Sequence, residues 1–337
     1  MADKTKIEWT EATWNPITGC SVCSPGCTNC YAMKLAGTRL AHHPSRAGLT
    51  QDSKAGPVWT GEVRFNEQWL EQPLRWKRPR MIFVCAHGDL FHESVPDQWI
   101  DRVFAVMALC PQHAFQVLTK RAERMREYFA GDQLLERIDC EMDTLIAERV
   151  DPLARRSDDL RAMAPLLEEA WPLPNVWLGV SVEDQARADE RIPDLLATPA
   201  AVHWLSCEPL LGALDLRNVR RYNPTGKPWI DALNGLVTRG AYLARSPSEC
   251  SFSTSTRIPG ELPGLDWIVV GGESGPGARP MHPDWARSLR DQCETAGVPF
   301  FFKQWGQFDE SGRSAGKAAA GRLLDGVEHN AMPKVAA

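Results

Sequence analysis

Four cysteines crowd one short stretch, Gly19-Cys20-Ser21-Val22-Cys23-Ser24-Pro25-Gly26-Cys27-Thr28-Asn29-Cys30-Tyr31-Ala32. The other six of the chain's ten, Cys85, Cys110, Cys140, Cys207, Cys250 and Cys293, are scattered singly and read as small core residues. Three thiolates in one loop can hold three irons of a four-iron, four-sulfur cube and leave the fourth iron open to a further ligand; four thiolates would close the site. Two triples are available. Cys23, Cys27 and Cys30 have a C-x3-C-x2-C spacing, whereas Cys20, Cys27 and Cys30 have a wider first gap. The alternative is a tetrahedral zinc held by all four thiolates, although zinc knuckle pairs usually have more chain between them than the three residues from Cys23 to Cys27.

Further groups with chemical potential come in six sets, each just after an apolar run. They are His87, Asp89 and His92; Thr119, Lys120 and Arg121; Ser181 and Glu183; Ser206 and Glu208; Gly271, Gly272, Glu273 and Ser274; and Lys303 with Gln304. Any one of these reads as a helix cap or a solvated turn. Together they fit a site at the C-terminal ends of parallel strands. The glycine-rich turn Gly271 to Gly277 would let backbone approach a cofactor or offer N–H groups to an anion, with plain turn glycines as the alternative. His87 and His92 flank Asp89 without a metal-ligand spacing. Arg75, Lys77, Arg78 and Arg80 interleave with Trp76, a pattern that suits phosphate contact and base stacking or, more simply, a solvated loop.

The elements that must carry these groups alternate. Apolar runs at Met81–Cys85, Phe115–Leu118, Val176–Val180, Val202–Leu205, Trp267–Val270 and Val298–Phe302, with an earlier one near Ile7 to Trp14, read as strands buried on both faces. Amphipathic segments at Asp97 to Leu109, Arg121 to Phe129, Glu183 to Leu196 and Pro283 to Ala296 read as helices between them. The expected fold is α/β: a partial or irregular (β/α) TIM-type barrel of about six or seven parallel strands. The cysteine loop follows the first strand, and helical and loop insertions interrupt the rhythm. The barrel is expected over 1–308, with a helical insertion at about 131–170 and a long loop or small lid at about 216–264. The stretch 309–337 reads as a mostly flexible C-terminal tail with an ordered scrap near Leu323 to Pro333.

Composition bounds the class. The 337 residues are 43% hydrophobic and 24% charged and include 13 tryptophans, enough for a sizeable core and incompatible with wholesale disorder. A net charge of −5 argues against a chain coated in positive charge, though not against a local basic patch. No run approaches the roughly 18 apolar residues of a membrane helix, and Met1 to Trp9 is too charged for a signal peptide, so no membrane partner and a cytoplasmic location are expected.

The motifs resemble the phage- and prophage-associated three-Cys-motif proteins, a domain family of unknown function similar to divergent radical S-adenosylmethionine enzymes such as spore photoproduct lyase. The resemblance is carried by Trp14-Asn15-Pro16, Gly19-Cys20, Ser24 to Ala32, Asp89-Leu90-Phe91-His92 and Leu118-Thr119-Lys120-Arg121. It continues through Trp177 to Glu183, Glu208 to Gly212, Gly271 to Gly275 and Phe302 to Gly306. It implies Cys20, Cys27 and Cys30 as cluster ligands, whereas the usual radical loop spacing points to Cys23 in place of Cys20. That loop also has an aromatic residue before its last cysteine, where this chain has Asn29.

The resemblance further implies an iron–sulfur, S-adenosylmethionine-dependent radical enzyme, a lyase or transferase, that modifies or repairs a nucleic-acid base or nucleotide and draws on an electron donor. In that picture Gly271, Gly272, Glu273, Ser274, Ser181 and Asp89 hold the cofactor. Glu183, Glu208, Lys120 and Lys303 are the candidate catalytic groups, and Lys120, Arg121 and Lys303 meet an anionic substrate. The contrasting expectation is a non-catalytic, zinc-stapled nucleic-acid-binding or interaction protein.

Overall fold

The computed structural model describes residues 5–148, 167–220, 229–239, 256–258 and 262–334. Seven strands form one parallel sheet: β1 (Ala12–Trp14), β6 (Met81–Val84), β7 (Ala114–Thr119), β8 (Val176–Ser181), β9 (Val202–Cys207), β14 (Trp267–Gly271) and β15 (Phe300–Gln304), adjacent in that order. The chain is thus mixed α/β, with the sheet topology of a partial β/α barrel. All six apolar runs read from the sequence are strands. They are legible because β8 and β9 are buried at every position, so no polar face breaks the run. Among the described residues no helix is long and apolar enough to cross a membrane.

Two compact units divide the chain, residues 5–179 with 198–202, and residues 180–197 with 203–334. In the first, β1 pairs with β6 and β6 with β7, and the helices Asp97–Ala108 and Ala122–Phe129 follow β6 and β7. The fully buried Trp14 donates from Nε1 to the Trp69 carbonyl at 2.8 Å. The helix Leu134–Glu148 packs on Asp97–Ala108; residues 149–166 of the helical insertion expected at about 131–170 lie outside the described residues. Tyr128 and Arg137 share the buried Asp101 carboxylate at 2.7 and 3.1 Å. Two small antiparallel pairs complete this unit: β2 (Ile17–Thr18) with β5 (Arg64–Phe65), and β3 (Thr50–Ser53) with β4 (Gly56–Trp59).

In the second unit β9 pairs with β14 and β14 with β15, and the Trp204 and Trp267 rings lie 5.4 Å apart in its core. Asp184 caps the helix Gln185–Leu196 by accepting from the Arg187 N–H at 2.9 Å. Pro283 opens the helix Pro283–Ala296, and Gly297 closes it at φ 70°.

Two further stretches of the second unit carry regular contacts among the described residues. The stretch expected as a long loop or lid at 216–264 contains a four-stranded antiparallel sheet of β10 (Val219–Arg220), β11 (Trp229–Asp231), β12 (Leu236–Arg239) and β13 (Thr256–Ile258). Strands of two to four residues are too short for a period-two pattern to stand out among glycines and prolines. In the stretch from 309, expected to be mostly flexible with an ordered scrap near Leu323 to Pro333, carbonyls of that scrap tie it back onto the unit. The indoles of Trp305 and Trp267 donate to the carbonyls of Leu323 and Ala331 at 2.7 and 2.9 Å, and the Phe302 N–H donates to that of His329 at 2.9 Å. Backbone carbonyls do the anchoring, and these leave no trace in composition.

Candidate functional site

The cysteine loop leaves β2 at Gly19, which has φ +97° and no room for a side chain: a Cβ there would meet the Glu62 carbonyl oxygen at 2.2 Å. Pro25 starts a single 3-10 turn, Pro25–Cys27, and Cys30 is the N-cap of the helix Tyr31–Ala36. The loop is therefore a succession of short turns that puts its cysteines in different settings. Cys27 is buried, Cys20 and Cys30 are half-buried against the apolar cluster of Ala32, Met33, Ala36, Leu49 and Trp59, and Cys23 is exposed. The Cys23 sulfur lies 4.0 Å from that of Cys27.

Arg121, at the end of β7, stitches this loop to the sheet. Its Nη1–H groups donate to the Cys20 sulfur at 3.4 Å and to Asp89 Oδ2 at 3.1 Å. From Nη2 it donates to the Ser21 carbonyl at 3.2 Å and hydroxyl at 2.7 Å, and from Nε to Glu93 Oε1 at 3.2 Å. Burial works against the guanidinium charge, but Asp89, Cys20, Cys23 and Glu93 raise its pKa nonetheless. Asp89 is committed in the same way: it accepts from Thr119 Oγ1 at 2.7 Å, the Lys120 N–H at 3.2 Å and the Phe91 N–H at 3.1 Å. His92 Nε2 lies 3.0 Å from the Ser21 hydroxyl, and burial holds its pKa below the usual histidine range.

The thiols titrate apart. A hydrogen bond from the Cys23 thiol, with help from Lys120 and backbone amides and against burial, lowers Cys27 to about 5. Burial, reinforced by Asp89, pushes Cys20 up to about 12, and burial raises Cys30. Cys20 feels the charges of both Cys27 and Cys30, and Lys120 favours the thiolates of Cys27 and Cys30, so three thiols and one ammonium share a single electrostatic neighbourhood. Among the described residues no three His, Cys, Asp or Glu side chains are gathered tightly enough to chelate one ion. The ligands of a cube sit on different irons and so stand further apart than those around one ion. By residue type, Cys20, Cys23, Cys27 and Cys30 are the groups of this loop that could hold a metal or cluster.

The remaining expected site residues fall in two places. In the first unit, Asp89, Lys120 and Arg121 come together with the cysteines, but Arg121 and Asp89 serve the loop: the guanidinium placed against substrate by sequence reasoning is buried and neutralised. The basic stretch Arg75 to Arg80 lies before the N-terminal end of β6, the opposite end of that strand, and the Arg80 guanidinium stacks 4.8 Å over the Trp76 ring.

In the second unit each strand-end carboxylate is paired internally. Glu183, fully buried, accepts from Arg191 at 3.0 Å, and Arg191 also holds the Ser181 carbonyl at 2.8 Å. Lys303 Nζ lies 3.0 Å from Glu208 Oε1. Glu273 accepts from Arg279 Nη2 and Nε at 2.7 and 3.0 Å, and Gln304 donates to the Ser274 hydroxyl at 3.0 Å. Gly272 is a packing necessity, since a Cβ would stand 1.9 Å from the Trp305 carbonyl oxygen; at Gly271 a Cβ would stand 2.4 Å from Glu208 Oε1, the end of a side chain that can move aside. Ser21 and Glu93 escaped the sequence reading, as neither carries a spacing that marks it as a partner of Arg121.

Fold and site define a class: a mixed α/β chain with a parallel sheet, and a cysteine-rich loop anchored through an arginine and an aspartate at the ends of two neighbouring strands. The chain belongs to the family described as Protein of unknown function (DUF5131), which matches residues 4–333. No curated protein and no solved structure matches it.

Proposed function

We propose that this chain is an iron–sulfur, S-adenosylmethionine-dependent radical enzyme that modifies or repairs a nucleic-acid base or nucleotide, in a phage-associated setting. What supports the reading is one loop that brings Cys20, Cys23, Cys27 and Cys30 to the ends of β6 and β7, with Cys20 held by Arg121 and half-buried and Cys23 exposed. This favours the triple with the wider first gap. When bound, a cube with one open iron supplies one-electron reductive cleavage of the sulfonium of S-adenosylmethionine, which yields a 5′-deoxyadenosyl radical.

The chain's own residues have simpler tasks. Of the three thiols of that triple, Cys27, lowered to about 5, is the most disposed to be a thiolate, while burial raises Cys20 and Cys30, whose protons metal binding would displace. Arg121 and Asp89 hold Cys20 and Ser21 in place. Lys120 contributes positive charge beside the thiolates. The carboxylates Glu183, Glu208 and Glu273 are neutralised by Arg191, Lys303 and Arg279, so no proton transfer is assigned to them. An electron donor completes the reaction.

One observation favours the second reading, a zinc staple in a binding protein: the Cys23 sulfur is near enough to that of Cys27 to join a four-thiolate set. The test is incubation of anaerobically prepared protein with S-adenosylmethionine and dithionite. Formation of 5′-deoxyadenosine that is lost in Cys27→Ala supports the radical reading. Protein that carries iron yet forms none contradicts it.

A further inference from the structure

The single 3-10 turn Pro25–Cys27 folds the cysteine loop back on itself: the Cys27 N–H donates to the Ser24 carbonyl at 2.9 Å, and the Thr28 N–H to that of Pro25 at 3.3 Å. This turn brings the sulfurs of Cys23 and Cys27 to 4.0 Å from one another and the Ser24 hydroxyl to 3.8 Å from the Cys27 sulfur. A disulfide holds its sulfurs at about 2.05 Å, so rotation of the two side chains on so short a turn has about 2 Å to close. The two thiols differ in access. Cys23 is exposed, whereas Cys27 is only 7% exposed. The other thiols of the loop are engaged elsewhere: the Cys20 sulfur accepts from Arg121 at 3.4 Å, and Cys30 opens the helix Tyr31–Ala36, half-buried against its apolar cluster.

We propose that Cys23 and Cys27 form a reversible disulfide, and that this bond competes with metal for the Cys27 sulfur. The bond rests on the placing of two sulfurs and needs no iron; its consequence for a cluster rests on the function proposed above. It gives Cys23 a task that ligation by Cys20, Cys27 and Cys30 leaves open.

The oxidant is a small-molecule disulfide such as oxidised glutathione. The exposed Cys23 thiolate attacks one of its sulfurs, forms a mixed disulfide and releases one thiol. The Cys27 thiolate then attacks the Cys23 sulfur, closes the intramolecular bond and releases the second thiol. The two electrons that the cysteines give up reduce the oxidant, and their two protons leave on the two released thiols. Excess dithiol reverses both steps.

The experiment takes the full chain, reduced and freed of metal by chelation under anaerobic conditions, equilibrates it with oxidised glutathione over a range of ratios to reduced glutathione, then alkylates it and digests it with trypsin. The four loop cysteines fall in one tryptic peptide, residues 7–34, so its mass reads the thiols lost and its fragmentation reads the pairing. The expected result is the loss of two of the four alkylatable thiols, joined as Cys23–Cys27 and restored by dithiothreitol. Cys27→Ser should stop at the mixed disulfide on Cys23, and Cys23→Ser should keep its remaining loop thiols. Offered iron and sulfide, the oxidised wild-type chain should load about tenfold less iron than the reduced one, while Cys23→Ser loads equally after either treatment. Four alkylatable thiols at every glutathione ratio would overturn the proposal, as would a pairing other than Cys23 with Cys27. A Cys23–Cys27 bond that leaves iron loading unchanged would overturn the competition for Cys27. Iron refused by the reduced chain, with the disulfide formed on oxidation, would contradict the function proposed above and the competition with it, and would leave the disulfide standing.

Discussion

Arg121 and Asp89 set the cysteine loop against the ends of β6 and β7, and both are nearly dry, their side chains 5% and 6% exposed. Breaking such a pair from one side leaves the other charge buried and uncompensated. Arg121→Met is therefore expected to cost on the order of 3–5 kcal/mol in urea unfolding and to lower iron retention with it. A second expectation concerns His87. Its folded pKa is about 4 against 6.5 unfolded, so the unfolded chain binds the proton first as pH falls. Its contribution to stability is complete above pH 6.5 and is lost as pH drops towards 4; unfolding free energies over that range should show the decline, and His87→Gln should remove that part of it. At this scale the cysteines, Asp89 and Lys120 were legible as reactive types in telling positions. Their partners were not: Arg121 reads as a substrate cation from its place after β7, and only the fold turns it towards Ser21 and Cys20.

At the scale of elements, the parallel strands could be read because burial on both faces leaves unbroken apolar runs; six were found within a residue or two of their expected bounds, whereas the first, expected near Ile7 to Trp14, is only Ala12–Trp14. The short strands β10 to β13 could not be read. Their hairpin β11–β12 depends on Gly235 at φ 63° and on Asn234, which donates to Asp231 Oδ2 at 3.0 Å; these are turn residues that also read as loop. Gly271 and Gly272 illustrate the reverse. They were marked for cofactor contact, but the space at each is taken by this chain's own atoms. Gly272→Ala should destabilise the protein by about 1–3 kcal/mol or prevent folding, read as a fall in Tm, because the Trp305 carbonyl that a Cβ would strike is fixed in the backbone.

For the whole molecule, the scrap expected to be ordered near Leu323 to Pro333 fastens the end of the described chain: Leu323, His329 and Ala331 supply acceptors to Trp305, Phe302 and Trp267. Truncation before Gly316 leaves two buried indole N–H groups without acceptors, at a cost of about 1–3 kcal/mol each, and should lower Tm and expose β15 to limited proteolysis. The central claim concerns the cysteine loop. Its most direct test is iron, sulfide and zinc analysis of anaerobically purified protein alongside Cys20→Ala and Cys23→Ala. About four irons and four sulfides per chain, lost in Cys20→Ala and retained in Cys23→Ala, is the expected result. One zinc with no iron would contradict the account and make the loop a structural staple.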